Sequence, residues 1–105
     1  MIEQTVTVTN RLGLHARAAA TLVRTASRFS SDLALARPGS DTPADAKSIL
    51  NVLMLSASQG TALHLSANGP DETAALATVA ALFAQGFGEE EHIVVRARTR
   101  GPRPT

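Results

Sequence analysis

Ile2-Glu3-Gln4-Thr5-Val6-Thr7-Val8-Thr9-Asn10-Arg11-Leu12-Gly13-Leu14-His15-Ala16-Arg17-Ala18-Ala19-Ala20 changes its hydrophobic period halfway along. Over residues 2–9 the side chains alternate, with Ile2, Gln4, Val6 and Val8 on one face and Glu3, Thr5, Thr7 and Thr9 on the other, which is the pattern of a half-buried strand. Asn10-Arg11-Leu12-Gly13 then breaks the alternation. After His15, Leu22, Ala26 and Phe29 recur at helical spacing and the alanines at 18–20 favour helix, so a helix is predicted over about 16–28. A strand that turns straight into a helix, with a histidine at the junction, is the unit from which the rest of the fold is read.

Downstream, Leu33 and Leu35 alternate with Ala34 and Ala36 in a short strand, and Arg37-Pro38-Gly39-Ser40-Asp41 supplies turn residues for a hairpin. The return limb, 42–46, contains Pro43 and is therefore expected only at a sheet edge, because proline has no N–H to donate to a ladder. Ser48 precedes Ile49, Leu50, Val52 and Leu53, which predicts a short helix with serine as its N-cap. Residues 61–67 alternate with Leu63 and Leu65 inward, and Asn68-Gly69-Pro70-Asp71-Glu72 opens a last helix with proline and acids in its first turn. Leu76, Val79, Ala80, Phe83 and Phe87 form the apolar stripe of that helix, and Gly86 and Gly88 end it. The order β-α-β-β-α-β-α predicts an α+β fold, an antiparallel sheet covered on one face.

A length of 105 residues fits one domain, and 44% hydrophobic against 18% charged side chains gives it a core and excludes wholesale disorder. The formal net charge of +1 is far from that of a dedicated nucleic-acid binder, and three phenylalanines are the only aromatic residues available for stacking on bases. Zero cysteines exclude disulfides, thiol nucleophiles and Cys-ligated metals, and agree with a reducing compartment, so a cytoplasmic location is expected. No stretch reaches the roughly 20 apolar residues of a spanning helix, nor does the start carry a basic region ahead of an apolar run, so no membrane association is expected. Residues 1–90 are read as the domain and 91–105 as a basic appendage carrying Arg96, Arg98, Arg100 and Arg103, a solvated end and not a nucleic-acid arm. His15, His64 and His92 lack close ligand spacing, so no metal site is expected.

His15 stands just before the first turn of a helix, where backbone N–H groups have no intrahelical acceptor and the dipole favours an anion. Arg17 can add a charge-assisted hydrogen bond to a phosphoryl group there. Imidazole accepts such a group and releases it again near neutral pH. By spacing alone the same residue also fits a histidine that merely sits in a loop or caps a helix.

The string Gly13-Leu14-His15-Ala16-Arg17-Ala18-Ala19 resembles the active-site segment of HPr, the histidine-containing phosphocarrier family of the bacterial phosphotransferase system. Ala46-Lys47-Ser48-Ile49-Leu50 looks like that family's regulatory serine segment, and the spacing through Gln59-Gly60 and Gly69-Pro70-Asp71-Glu72 also agrees, over about residues 1–90. The resemblance implies a two-layer sandwich with a four-stranded antiparallel sheet and three helices on one face. It implies that His15 takes a phosphoryl group on Nδ1 from Enzyme I and passes it to an Enzyme IIA-type protein, with Arg17 and the backbone of Ala16, Arg17 and Ala18 steadying the phosphoryl oxygens. The chain would then be a monomeric carrier needing no cofactor, and not an enzyme. Ser48 would be a target of an HPr kinase, and Ala16, Ala20, Ile49, Leu50 and Leu53 a docking surface for partners, including regulated metabolic enzymes. An alternative within the same resemblance is a regulatory binding module whose docking is switched by phosphorylation at His15 or Ser48. One departure is Ala18, where the family usually has proline. It restores an N–H to the first turn and looks similar to carriers of the nitrogen-related branch, as against sugar transport.

Overall fold

The computed structural model describes residues 1–89, so the appendage expected at 91–105 lies outside the described residues. The elements are β1 (Ile2–Thr7), α1 (Ala16–Ala26), β2 (Asp32–Ala36), β3 (Ala44–Asp45), α2 (Ile49–Met54), β4 (Ala62–Asn68) and α3 (Glu72–Ala84), followed by a 3-10 turn at Gly86–Gly88. The strands form one antiparallel sheet in the order β1-β4-β2-β3, with Val6 opposite Leu63, Gln4 opposite Leu65 and Leu35 also opposite Leu65 on the neighbouring side. This is the α+β sandwich expected from the order of elements: four antiparallel strands and three helices.

The alternation is physical in origin. Val6, Val8, Leu33, Leu35, Leu63, Leu65 and Ala67 all turn inward onto Leu22, Ala26, Val52, Ala75, Val79 and Phe83 of the helices. The opposite sheet face carries Glu3, Thr5, His64 and Asn68 to water, and His64 pairs there with Glu3 at 2.6 Å. Among the described residues no helix is long and apolar enough to cross a membrane.

Where boundaries differ from expectation, backbone hydrogen bonds give the reason. β1 stops at Thr7, yet Val8 N–H still donates to Thr61 O at 2.9 Å and Val8 O accepts from Gly60 N–H at 2.8 Å, so pairing fades into the turn instead of ending. α1 stops at Ala26 because the chain tightens into 3-10 bonds, from Arg28 N–H to Thr25 O and from Phe29 N–H to Ala26 O. Phe29 nevertheless packs on the core, and its carbonyl receives the Lys47 ammonium at 2.8 Å, a cation where the helix end favours one. β3 is only two residues long, on the sheet edge directly after Pro43.

Two other features depart from the local reading. Asp71 does not cap α3 with its side chain. Its carboxylate accepts instead from the N–H groups of Ser30 and Ser31 at 3.0 and 2.9 Å and from the Ser31 hydroxyl, fastening the loop before β2 to the start of α3. The Ser31 hydroxyl bond and then the Ser30 amide hold its pKa down to about 2. Phe87 continues the apolar stripe in space but not in the helix. Gly86, Phe87 and Gly88 all take positive φ, of 61°, 56° and 74°, and the ring of Phe87 meets Phe83 edge-on with centroids 5.1 Å apart. That reversal delivers Glu89 back to the N-terminal end of α1.

Candidate functional site

The site begins with a turn that only glycine can make. Gly13 has φ +68°, and a Cβ there would stand 2.5 Å from Ala57 O and 2.9 Å from Ser58 Cα. With Gly13 N–H bonded to Asn10 O and Leu14 N–H bonded to Ala57 O at 2.9 Å, the turn is clamped against the loop after α2. Leu14 is buried beneath it, and the next residue, His15, becomes the N-cap of α1 with extended backbone.

The imidazole is held at both nitrogens. Nδ1 accepts from the N–H of Arg17 at 3.3 Å, the usual reach of an N-cap side chain to the second helical residue. Nε2 faces the carboxylate of Glu89, 2.9 Å from Oε2 and 3.1 Å from Oε1. Asn10, fully buried, donates through Nδ2 to Gly13 O at 2.7 Å and to Glu89 Oε1 at 3.0 Å. The His15 side chain is 27% exposed and that of Glu89 only 11%. The ring is therefore reachable from solvent beside the first amides of α1, while its inner edge is screened.

A nucleophilic nitrogen presented at a helix N-terminus is the arrangement for taking up a phosphoryl group. Residues 2–85 match the family described as "PTS HPr component phosphorylation site". The chain belongs to the HPr family. It is 46% identical over 90 residues to the phosphocarrier protein HPr of Xylella fastidiosa (strain Temecula1), covering 86% of this chain and 99% of that one. It is 40% identical over 89 residues to the phosphocarrier protein NPr of Klebsiella oxytoca, covering 85% of this chain and 98% of its relative. The solved structure of HPr-C-His from Thermoanaerobacter tengcongensis superimposes with a TM-score of 0.80 at 42% identity, over 86% of this chain and 99% of that one. The chain is thus a phosphocarrier of the phosphotransferase system, in a family whose members are named as carriers.

The remaining HPr-type residues fall around this centre. Arg17 and Ala16 are exposed on the first turn of α1, Ala20 is half-buried one turn on, and Ala18 is fully buried in the core. Ser48 is the N-cap of α2, its hydroxyl accepting from Asn51 N–H at 3.3 Å. On α2, Ile49 and Leu50 face water, Leu50 at 68% exposure, while Leu53 turns inward and packs on the core. His64, on the far face of the sheet, takes no part in the site, and His92 lies outside the described residues.

Local reading of the sequence did not anticipate Asn10 and Glu89 at the histidine, nor Leu12 and Met54, exposed at 70% and 79%, beside the turn and on the open side of α2. Met54 was legible in principle, four residues after Leu50 on a six-residue helix. No periodicity points Glu89 at His15.

Proposed function

We propose that Nδ1 of His15 is the phosphoacceptor, charged by Enzyme I and discharged to an Enzyme IIA-type protein. The observation carrying this is the hydrogen bond from Arg17 N–H to Nδ1, which makes Nδ1 the lone-pair nitrogen and sets it among the first-turn amides of a helix. In the forward step that lone pair forms the N–P bond as the bond from phosphorus to the donor imidazole breaks, the electron pair leaving with the donor. Once Nδ1 is occupied, the Arg17 amide loses its acceptor and turns to a phosphoryl oxygen. The amides of Ala16 and Ala18 and the Arg17 guanidinium complete the cradle, aided by the helix dipole. Nothing in that exchange calls for a cofactor, and the protein acts as substrate and donor, not as a catalyst, in the cytoplasm.

Ala16, Ala20, Ile49 and Leu50 form the docking surface in this reading, with Leu53 supporting it from beneath. Phosphorylation of Ser48 by an HPr kinase would place a dianion beside that apolar face and act as the regulatory switch. Residues 1–90 suffice for carriage, and 91–105 are an appendage to it. The test is incubation with Enzyme I and phosphoenolpyruvate followed by intact mass. One acid-labile phosphoryl group is expected on the wild-type protein and none on His15→Ala, and full labelling of His15→Ala rejects the assignment.

A further inference from the structure

Glu89 is separated from His15 by 74 positions in sequence, yet both its oxygens lie within 3.1 Å of Nε2. An ionised carboxylate only accepts hydrogen bonds, so the proton of the neutral ring sits on Nε2. The other nitrogen is committed in the opposite sense, since Nδ1 accepts from the Arg17 amide. The two contacts select one tautomer between them, with Nε2–H inward and the Nδ1 lone pair outward. Asn10 holds the carboxylate in place, as its Nδ2 donates to Gly13 O and Glu89 Oε1, two acceptors that leave no doubt about which way the amide faces.

We propose that Glu89 is a positioning residue for phosphoryl transfer, fixing the Nε2–H tautomer of His15 and neutralising the charge the ring acquires. This rests on His15 being the phosphoacceptor. When Nδ1 forms its bond to phosphorus and the donor departs with the electron pair of the broken bond, the ring becomes a phosphoimidazolium with its proton still on Nε2. The Glu89 carboxylate, largely shielded from water, already lies against that proton. No proton has to move in either direction of transfer. The logic is that of a carboxylate orienting a reactive imidazole through its distal nitrogen, here with the imidazole itself as nucleophile.

The experiment uses the full chain labelled with 15N-histidine. The wild-type protein is expected to show His15 as the Nε2–H tautomer and to be phosphorylated by Enzyme I and phosphoenolpyruvate. In Glu89→Ala the His15 nitrogen shifts move toward a mixture of tautomers and the initial phosphorylation rate falls roughly tenfold, the low end of the loss seen when a metal-binding imidazole loses its orienting partner. The His64 shifts stay unchanged and the protein remains cooperatively folded at the assay temperature, separating positioning from unfolding, although the midpoint falls somewhat because the buried Asn10 amide loses one acceptor. Glu89→Gln, whose amide oxygen still accepts from Nε2–H, recovers the tautomer and part of the rate. Wild-type shifts in Glu89→Ala, or a changed tautomer with an unchanged rate, would overturn the proposal, and so would a slower rate with the tautomer intact, which assigns Glu89 to docking. If the wild-type protein itself takes no label on His15, the phosphoacceptor reading fails first.

Discussion

Gly13 carries more of the site than its size indicates. It combines a left-handed backbone with a contact that any Cβ would make 2.5 Å from Ala57 O. Gly13→Ala is expected to cost about 2 kcal/mol or more, since it adds left-handed strain to a backbone collision that no side-chain rotation relieves. Urea unfolding measures it, and a variant as stable as the wild type would show that the turn relaxes. Asp71 makes a different prediction. Its pKa is lowered from 3.8 to about 2 by the Ser31 hydroxyl and the Ser30 amide, so the unfolded chain binds the proton more readily than the folded one. The stability it contributes is present above pH 3.8 and is lost as pH falls toward 2. Glu72, whose carboxylate accepts from Gly69 N–H and is also lowered, adds to the same loss. Thermal melts between pH 5 and pH 2 should fall less steeply for Asp71→Asn than for the wild type, and parallel curves would contradict the assignment.

At the scale of elements, α2 is the most exposed to perturbation. It has six residues, too few to be stable alone, and depends on its cap and on Val52. Ser48→Ala should cost about 1 kcal/mol by orphaning the Asn51 amide. Ser48→Asp keeps a capping oxygen and adds a negative charge beside Leu50, so melts should stay near wild type while phosphoryl exchange with partner proteins slows. Equal exchange rates in Ser48→Asp would remove Ser48 as a switch of the docking surface. The short strand β3 and the early end of α3 also belong to this scale. Pro43 announces an edge strand and Gly86 and Gly88 announce an end, because each acts through its own backbone torsions. The 3-10 tightening after Ala26 was not legible, since it depends on how the chain must descend to enter β2.

Across the whole molecule, one core serves both stability and the site. Phe83 lies at its centre, accepts the Thr9 hydroxyl on its carbonyl at 2.8 Å, and stacks edge-on with Phe87, two residues before Glu89. Phe83→Ala is expected to cost about 3–5 kcal/mol, a large part of the roughly 5–15 kcal/mol typical of such a domain. Calorimetry checks the cost, and the His15 15N shifts report whether Glu89 leaves the ring when its support is removed. Unchanged stability would deny Phe83 its place in the core.

Period-two and period-3.6 patterns, the turn residues and the Ser48 cap act over a few positions, so strands, helices and their order follow from residues 2–87 read locally. The placement of His15 at a helix N-terminus belongs with them, because cap, turn and helix are contiguous. What closes around that histidine does not. Asp71 fastens to Ser30 and Ser31, and Glu89 to His15 and Asn10, across 40 to 79 positions. These contacts exist only once α3 has packed on the sheet and the left-handed turn after it has reversed the chain. No local preference records such a meeting, because it is set by the distances between packed elements, and that is where the tautomer of the reactive ring is decided.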